Sequence, residues 1–307
     1  MFMSKKNIKV SKEFAKRQFS TAGMALLLYA LIVLILPEFL KLYFMSIGIY
    51  SDNNSLINTG ILYTLIVIGT LVPFLLLKQS CHIRIKDFWR KCNAGFSDLF
   101  ADSIVYSAIG TLFMFLTIVI NSYIKIGDSM ITSLGISVNG SWAYNPIFFV
   151  LFVIATPFVE EIAFRGILLI VLGRYGNYFA MISCSLVYAI LHGSIAEVIP
   201  TFFLSIILIK LTLKYRSIQP AVVAHIIFNA ILYLMALTPG KYYQIVAIVI
   251  FAIYLMAIIV VFSRNYRYVK VRQKNNEKML YSLFFFRFTV FLSLIIGAVY
   301  TVLYTFL

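Results

Sequence analysis

The sequence of 307 residues is 62% hydrophobic and 12% charged, with a mean hydropathy of +0.96. Soluble domains carry about 25% charged residues, so this composition excludes an ordinary water-soluble enzyme and predicts an integral membrane protein. A net charge of +15 would favour a nucleic-acid partner in a soluble protein, but here the basic residues cluster in alternate loops. We therefore expect no nucleic-acid partner and interpret the clusters as cytoplasmic segments that face membrane lipids.

Repeated apolar runs of about 20 residues are typical of transmembrane helices rather than strands. The pattern predicts an all-α polytopic transmembrane helix bundle of about eight or nine spans. The nine predicted spans cover about 23–44, 59–77, 104–124, 146–172, 177–195, 200–213, 219–237, 244–262 and 283–307. Because basic and weakly charged loops alternate, we expect the N-terminus to be cytoplasmic.

The chain divides into four predicted parts. They are a basic cytosolic segment (1–20), N-terminal transmembrane helices (21–145), a catalytic core (146–238) and C-terminal transmembrane helices (239–307). Polar residues at membrane depth are confined to the spans at 146–172, 177–195 and 219–237, and we expect these three helices to build the site. The short loop around Glu197 is expected to lie outside the membrane.

Two acids and an arginine interrupt the apolar run at 156–166. Ionised groups at bilayer depth are unfavourable by several kcal/mol unless they are paired or face a wet cavity, so this stretch indicates a functional centre. Glu161 and Arg165 share one helix face and are expected to form a buried ion pair, whereas Glu160 is rotated by about 100° and needs another partner. Pro157 has no backbone N–H, so we expect a kink just ahead of the acids.

Two of the three histidines, His192 and His225, lie in predicted apolar helices at about the depth of Glu160. His225 and Asn229 are four residues apart, so they can act on one small group such as a water or a carbonyl oxygen. Tyr188 and His192 have the same spacing. An acid, two imidazoles and a carboxamide at one level indicate a reaction centre.

Two chemical routes fit these residues. A carboxylate beside an imidazole can deprotonate a water while His and Asn donors stabilise the oxyanion of an attacked amide. Alternatively, Glu160, His192 and His225 would supply the three ligands of an open catalytic zinc site. Both routes hydrolyse an amide, and the sequence does not choose between them because the same residues serve both.

The three motifs together resemble a known family. They are Glu160-Glu161-x-x-x-Arg165, Tyr188-x-x-x-His192 and His225-x-x-x-Asn229. This pattern resembles the CPBP family, which comprises the CAAX proteases and bacteriocin-processing enzymes and is also called the Abi family. The resemblance covers about 146–237 and implies an intramembrane endopeptidase with a four-helix catalytic core.

The resemblance also implies a role for each residue. Glu160 and His192 would activate the water, and His225 and Asn229 would stabilise the oxyanion, while the other two residues of the first motif support the site. Tyr188 stands where the family usually has Phe, so it keeps the ring and adds a hydroxyl to the pocket. The family is described both as metalloproteases and as metal-independent glutamate proteases, so zinc is the one cofactor implied.

Substrate and location follow from the resemblance by analogy. Eukaryotic members cleave prenylated CAAX proteins, whereas bacterial members are associated with bacteriocin immunity and peptide maturation. The short loops and the basic, Phe- and Ile-rich composition resemble a bacterial member, so we expect a bacterial plasma-membrane protein with a membrane-embedded or hydrophobic peptide substrate. The alternative function is a non-catalytic membrane scaffold or immunity protein that retains the fold, although intact motifs argue against it.

Overall fold

The computed structural model describes residues 12–48, 55–92, 95–124, 146–238, 240–263, 271 and 278–306. The predicted loop at 125–145, most of the basic stretch at 264–277 and the first half of the N-terminal segment lie outside the described residues. Within the described ranges the chain forms helices α1 (Lys12–Ser46), α2 (Ser55–Ser80), α3 (Ile85–Phe88), α4 (Phe96–Ile124), α5 (Pro146–Gly173), α6 (Asn177–Ile190), α7 (Ile195–Tyr215), α8 (Gln219–Leu237), α9 (Gly240–Ser263), α10 (Lys278–Phe285) and α11 (Phe288–Phe306).

The predicted all-α polytopic architecture is confirmed, and the chain is a multi-pass membrane protein. Six helices of the described part are long and apolar enough to cross a membrane, and α10 with α11, bent by 71° at their junction, forms a seventh candidate. Each of the nine predicted spans overlaps one of the helices. However, α6 has 14 residues, which is shorter than the roughly 20 residues that a full crossing needs.

Two predicted boundaries near the site are wrong. The span predicted to end at residue 195 ends at Ile190, and the next helix begins at Ile195 rather than at Pro200. Pro200 lies inside α7, where it removes a backbone hydrogen bond close to the helix N-terminus and does not start the helix. Glu197, predicted to lie in an outer loop, therefore belongs to the first turn of α7 and is 4% exposed.

Helix α5 connects two apolar cores. Its first half contributes Phe148 and Phe152 to a core shared with α4, α7 and α8. Its second half contributes Phe164 and Ile167 to a core shared with α1, α2, α6 and α11. Glu160 and Glu161 lie between these two sets of core residues, so packing on both sides fixes their position along the helix.

The loop after α2, which includes the one-turn helix α3, packs onto the side of α5. Phe88 is buried and lies against Gly166, where an added Cβ would come within 3.0 Å of the Phe88 ring. The Trp89 ring contacts Phe158 edge to face at 5.8 Å, and the carbonyl of Phe88 accepts a hydrogen bond from the Ile218 N–H at 3.0 Å. This loop therefore links α5 to the start of α8.

Helices α1 and α11 approach closely at Gly23. A Cβ built at this position would lie 2.8 Å from the backbone nitrogen of Val290 and 2.3 Å from the Thr289 hydroxyl oxygen. Backbone atoms cannot move aside as a flexible side chain can. The absence of a side chain at Gly23 thus allows the terminal helix to pack against the first one.

We expect Gly23→Ala to lower the apparent Tm of the purified protein in detergent, because the new methyl group pushes α1 and α11 apart at an overpacking penalty of about 1–3 kcal/mol. Gly60→Ala is the matched control, since a Cβ at Gly60 meets no atom within 4 Å. Thermal unfolding of the two variants beside the wild type is the measurement. Equal Tm values for both variants would contradict the close approach.

Candidate active site

Helix α5 is irregular on both sides of the acidic motif. Its segments Val150–Ala155 and Glu161–Leu168 are π-helical, and the α-helical segment Thr156–Glu160 lies between them. Wide turns of this kind are frequent at functional sites, because they rotate the following side chains relative to a regular helix. Pro157 lies between these two π-helical segments, and the kink expected at this position stays a prediction.

The first π-helical segment leaves the carbonyl of Phe152 without a backbone donor, so a side chain can donate a hydrogen bond to it. The Thr156 N–H bonds to the carbonyl of Leu151, so it does not serve the carbonyl of Phe152. The next residue, Pro157, has no N–H to offer. Asn229 Nδ2 donates a hydrogen bond to the Phe152 oxygen at 3.0 Å. One Asn229 hydrogen therefore fixes α8 against α5, and its second remains available for another acceptor.

Glu161 connects the other two charged residues of the site. Its Oε1 accepts hydrogen bonds from Arg165 Nη1 and from His225 Nδ1, both at 2.9 Å. Glu161 and Arg165 are 0% exposed, so the ion pair is buried. Because Glu161 also accepts a hydrogen bond from His225 Nδ1, it fixes the orientation of the imidazole ring, and Nε2 points away from Glu161.

Glu160 has a separate partner, in keeping with its rotation from Glu161. The Tyr188 hydroxyl donates to Glu160 Oε2 at 2.6 Å, and His225 Nε2 lies 3.9 Å from the same oxygen. The second distance is too long for a hydrogen bond but leaves both groups facing one small space. Tyr188 replaces the Phe that is usual at this position in the family. Its additional hydroxyl thus contacts Glu160, the first acid of the motif.

Tyr188 also organises its surroundings through its ring and backbone. Its ring lies under the Arg165 guanidinium, with the central carbon 4.4 Å from the ring centroid. Its backbone carbonyl lies 3.2 Å from His192 Nδ1, and since a carbonyl only accepts, that nitrogen is the donor. The neutral His192 ring then keeps a lone pair on Nε2, which is available to accept a proton.

His192 lies beyond the end of its helix, which corrects the expectation that a helix carries it. Helix α6 ends at Ile190, and the chain turns at Gly193 with φ +84° before α7 begins at Ile195. Only glycine adopts this left-handed conformation at little strain. A Cβ at Gly193 would also lie 3.0 Å from the Tyr300 ring, so the turn that presents His192 requires glycine for two reasons.

Five of the seven predicted site residues border one cavity of about 140 Å³, which is large enough for several water molecules. Glu160, Tyr188, His192, His225 and Asn229 line it. Glu161 and Arg165 lie behind this lining. The structure therefore brings the predicted residues together around a common space.

Three helices that were not expected at the site also border the cavity. Tyr29 comes from α1, Tyr63 from α2, and Glu197 and Thr201 from α7. No local pattern in the sequence marks the two tyrosines. Apolar residues on both sides of Glu197 could have indicated that it belongs to a helix. The prediction placed the start of α7 at Pro200 and therefore left Glu197 out of the helix.

The zinc alternative does not fit the observed arrangement. Among the residues that the structure describes, no three His, Cys, Asp or Glu side chains converge as a metal ion would require. The route that uses an activated water and side-chain donors therefore fits the site better.

Comparison with known proteins agrees with the motif resemblance. Residues 142–231 match the family model described as Rce1-like, type II CAAX prenyl endopeptidase. The match spans less than a third of the chain and includes every predicted site residue. No curated protein and no solved structure matches the chain.

The predicted resemblance to the CPBP or CAAX protease family is thereby confirmed for this segment, which is similar to a protease domain. The match supports intramembrane peptidase activity in general. It does not by itself assign a substrate.

We expect Glu161→Gln to destabilise the protein by about 3–5 kcal/mol, because it leaves the Arg165 charge buried without its partner. Glu160→Gln is the matched control, since it keeps an acceptor for the Tyr188 hydroxyl and breaks no ion pair of Arg165. Chemical or thermal unfolding in detergent measures both variants. Equal stability of the two would mean that Glu161 does not compensate Arg165.

Proposed function

We propose that this protein is an intramembrane endopeptidase that hydrolyses a peptide bond of a hydrophobic or membrane-associated peptide with an activated water. The observation that carries the proposal is the convergence of Glu160, His192 and His225 on one cavity within the segment that matches a protease family. Each of these polar side chains is unfavourable at membrane depth unless it has a function or a partner.

Glu160 is the proposed base in the first step. Its carboxylate takes a proton from a water while the water oxygen attacks the carbonyl carbon of the substrate. The Tyr188 hydroxyl at 2.6 Å holds one carboxylate oxygen in place, which leaves the other oxygen for the water. His192, with its Nε2 lone pair, is the second group proposed to hold that water.

His225 and Asn229 are the proposed donors to the oxyanion. When the ring is protonated, His225 donates from both nitrogens, to Glu161 through Nδ1 and to the oxyanion through Nε2. His225 Nδ1 lies 2.9 Å from Glu161 Oε1, and Nε2 lies 3.9 Å from Glu160 Oε2. The second hydrogen of Asn229 Nδ2 supports the same oxygen. Collapse of the intermediate then breaks the C–N bond, and Glu160 returns its proton to the departing amine.

The surroundings of the cavity favour a hydrophobic peptide as substrate. Besides the polar groups, the lining is apolar and aromatic, and the helices around it face lipid. The matched family model is described as a type II CAAX prenyl endopeptidase, and by analogy a peptide near the membrane surface is the substrate class proposed here. Peptide maturation and bacteriocin immunity are the proposed physiological roles, by the same analogy.

Glu160→Gln is expected to abolish cleavage while the protein still accumulates in the membrane, because the amide cannot take the proton of the water. Peptide and membrane-protein termini are compared by mass spectrometry in cells that carry the wild type or the variant at equal abundance. Termini that disappear with the variant identify the substrate. If no terminus changes while a cellular phenotype persists in the variant, the scaffold function replaces the peptidase.

Metal chelation gives an independent test of the water-activating route. We expect cleavage by the purified protein to continue at an unchanged rate after treatment with 1,10-phenanthroline, because the proposed base and oxyanion donors are side chains. A non-chelating phenanthroline isomer is the control for nonspecific effects. Loss of activity that added Zn²⁺ restores would overturn the metal-independent route.

A further inference from the structure

Thr156 lies on the cavity wall, and the proposed mechanism does not use it. It begins the α-helical segment that ends at Glu160, between the two π-helical segments of α5. Thr156 and Glu160 both line the cavity. Residues four apart in a regular α-helix share one face and are separated by about 6 Å along the axis. The threonine is therefore one helical turn from the proposed base.

The hydroxyl of Thr156 is buried without a hydrogen-bond partner. The residue is 8% exposed, and its Oγ1 makes no hydrogen bond to any residue that the structure describes. A buried hydroxyl that forms no hydrogen bond is unfavourable, and most buried side-chain polar groups in proteins have a partner. Beside a cavity, such a group indicates that the partner is a molecule that enters the cavity.

Other threonines of this chain show which partner is usual. At six described positions a threonine hydroxyl donates to the backbone carbonyl four residues earlier. The six are Thr21, Thr111, Thr117, Thr201, Thr212 and Thr238. For Thr156 that carbonyl belongs to Phe152, and it accepts the side-chain amide of Asn229 instead. The contact that docks α8 against α5 thus leaves the Thr156 hydroxyl without its usual acceptor.

Burial without a partner does not by itself identify a binding residue. Thr70 of α2 is 0% exposed, and its hydroxyl also makes no hydrogen bond within the described part of the chain. However, Thr70 is not among the residues that line the cavity. Of the buried serine and threonine hydroxyls that the structure describes without a hydrogen bond, Thr156 is the one that borders this space.

From these observations we propose that Thr156 binds the backbone of the peptide substrate through a hydrogen bond between its hydroxyl and an amide group beside the scissile bond. The inference rests on the proposed peptidase function and extends it to how the substrate is held. A hydroxyl both donates and accepts, so it pairs with a backbone C=O or N–H. Threonine in a helix adopts two χ1 rotamers, so the hydroxyl can turn to meet a bound group.

Helix geometry indicates which amide is bound. Thr156 lies about 6 Å from Glu160 along α5, at about 1.5 Å per residue. An extended peptide advances about 3.3 Å per residue. A peptide that runs along α5 with its scissile bond at Glu160 therefore places the bound amide about two residues from the cleaved position.

Two other roles of the hydroxyl make different predictions. Loss of a contact to the substrate that is equal in the ground state and the transition state raises KM and leaves kcat unchanged, whereas loss of a contact to the attacking water lowers kcat. A purely structural hydroxyl would affect stability and neither kinetic constant. Kinetics and unfolding measured together therefore separate the three roles.

The first experiment uses a synthetic peptide that spans a cleavage site identified by its dependence on Glu160. Thr156→Val removes the hydroxyl and keeps the shape of the side chain. We expect KM to rise about fivefold to tenfold, the effect of one hydrogen bond, while kcat stays within about twofold of the wild type. Thr156→Ser keeps a hydroxyl and should behave nearly as the wild type.

Unfolding in detergent and a matched variant complete this comparison. Because Thr156→Val breaks no hydrogen bond, its apparent Tm should equal or exceed that of the wild type. Thr70→Val removes an equally unpartnered hydroxyl outside the described lining and should leave KM and kcat unchanged. If Thr156→Val does not accumulate, Thr156→Ala removes the same hydroxyl and is compared with Thr156→Ser.

The second experiment locates the bound amide with peptides in which one backbone amide at a time is replaced by an ester. For the wild type we expect KM to rise at one position within about two residues of the cleaved bond. At that position the ester should have no further effect on Thr156→Val, because the two changes remove the same hydrogen bond and are not additive.

The outcomes separate this inference from the peptidase function. An unchanged KM in Thr156→Val, a loss confined to kcat, or additive effects at every ester position would each overturn the inference and leave the peptidase function standing. The absence of any Glu160-dependent terminus would overturn the peptidase function itself, and with it the inference.

Discussion

The burial of the Arg165 charge is the constraint on which the site depends. A guanidinium that is 0% exposed needs a counter-charge at contact distance, and Glu161 supplies it at 2.9 Å. The same carboxylate oxygen also accepts a hydrogen bond from His225 Nδ1. The guanidinium of Arg165 lies over the Tyr188 ring. One requirement, neutralisation of a buried cation, therefore orients an imidazole and a tyrosine. The adjacent Glu160 remains available for chemistry because its neighbour already meets that requirement.

The irregularity of α5 places these groups where they can act together. Two cores hold the two halves of this helix, and a π-helical segment in each half changes the direction of the side chains. Pro157 contributes by withholding an N–H, so that the Phe152 carbonyl becomes an acceptor for Asn229. A backbone group that would otherwise be unsatisfied is thus used to dock α8. The irregular hydrogen bonding of this helix and the assembly of the site thus have the same physical origin.

Helix α7 adds polar residues to the lining of the cavity. With Glu197 on one side and Glu160 on the other, the cavity carries carboxylates on two helices that the motifs do not connect. The short turn at Gly193 has a double role, because the turn presents His192 to the cavity and starts the helix that carries Glu197.

Sequence reasoning predicted the membrane class, the helical segments and the pairing of Glu161 with Arg165, and the structure confirms these features. It was wrong about the helix ends around His192 and Glu197, because Pro200 is tolerated inside the early part of α7 and glycine allows the chain to turn before the expected end of α6. Element ends depend on a few backbone groups that long-range packing can override. The length of apolar runs is a more robust signal, since it reflects the thickness of the bilayer.

By itself, therefore, the sequence determined what depends on composition and on helical spacing: a polytopic helical protein, residues four apart on common faces, and two adjacent acids that point in different directions. Tertiary structure alone decided which distant groups meet. Tyr188 reaches Glu160 across 28 positions, His225 reaches Glu161 across 64, and Asn229 reaches Phe152 across 77. Such contacts depend on the rotation and depth of each helix against its neighbours, and these are set by packing of whole helix faces rather than by any local pattern.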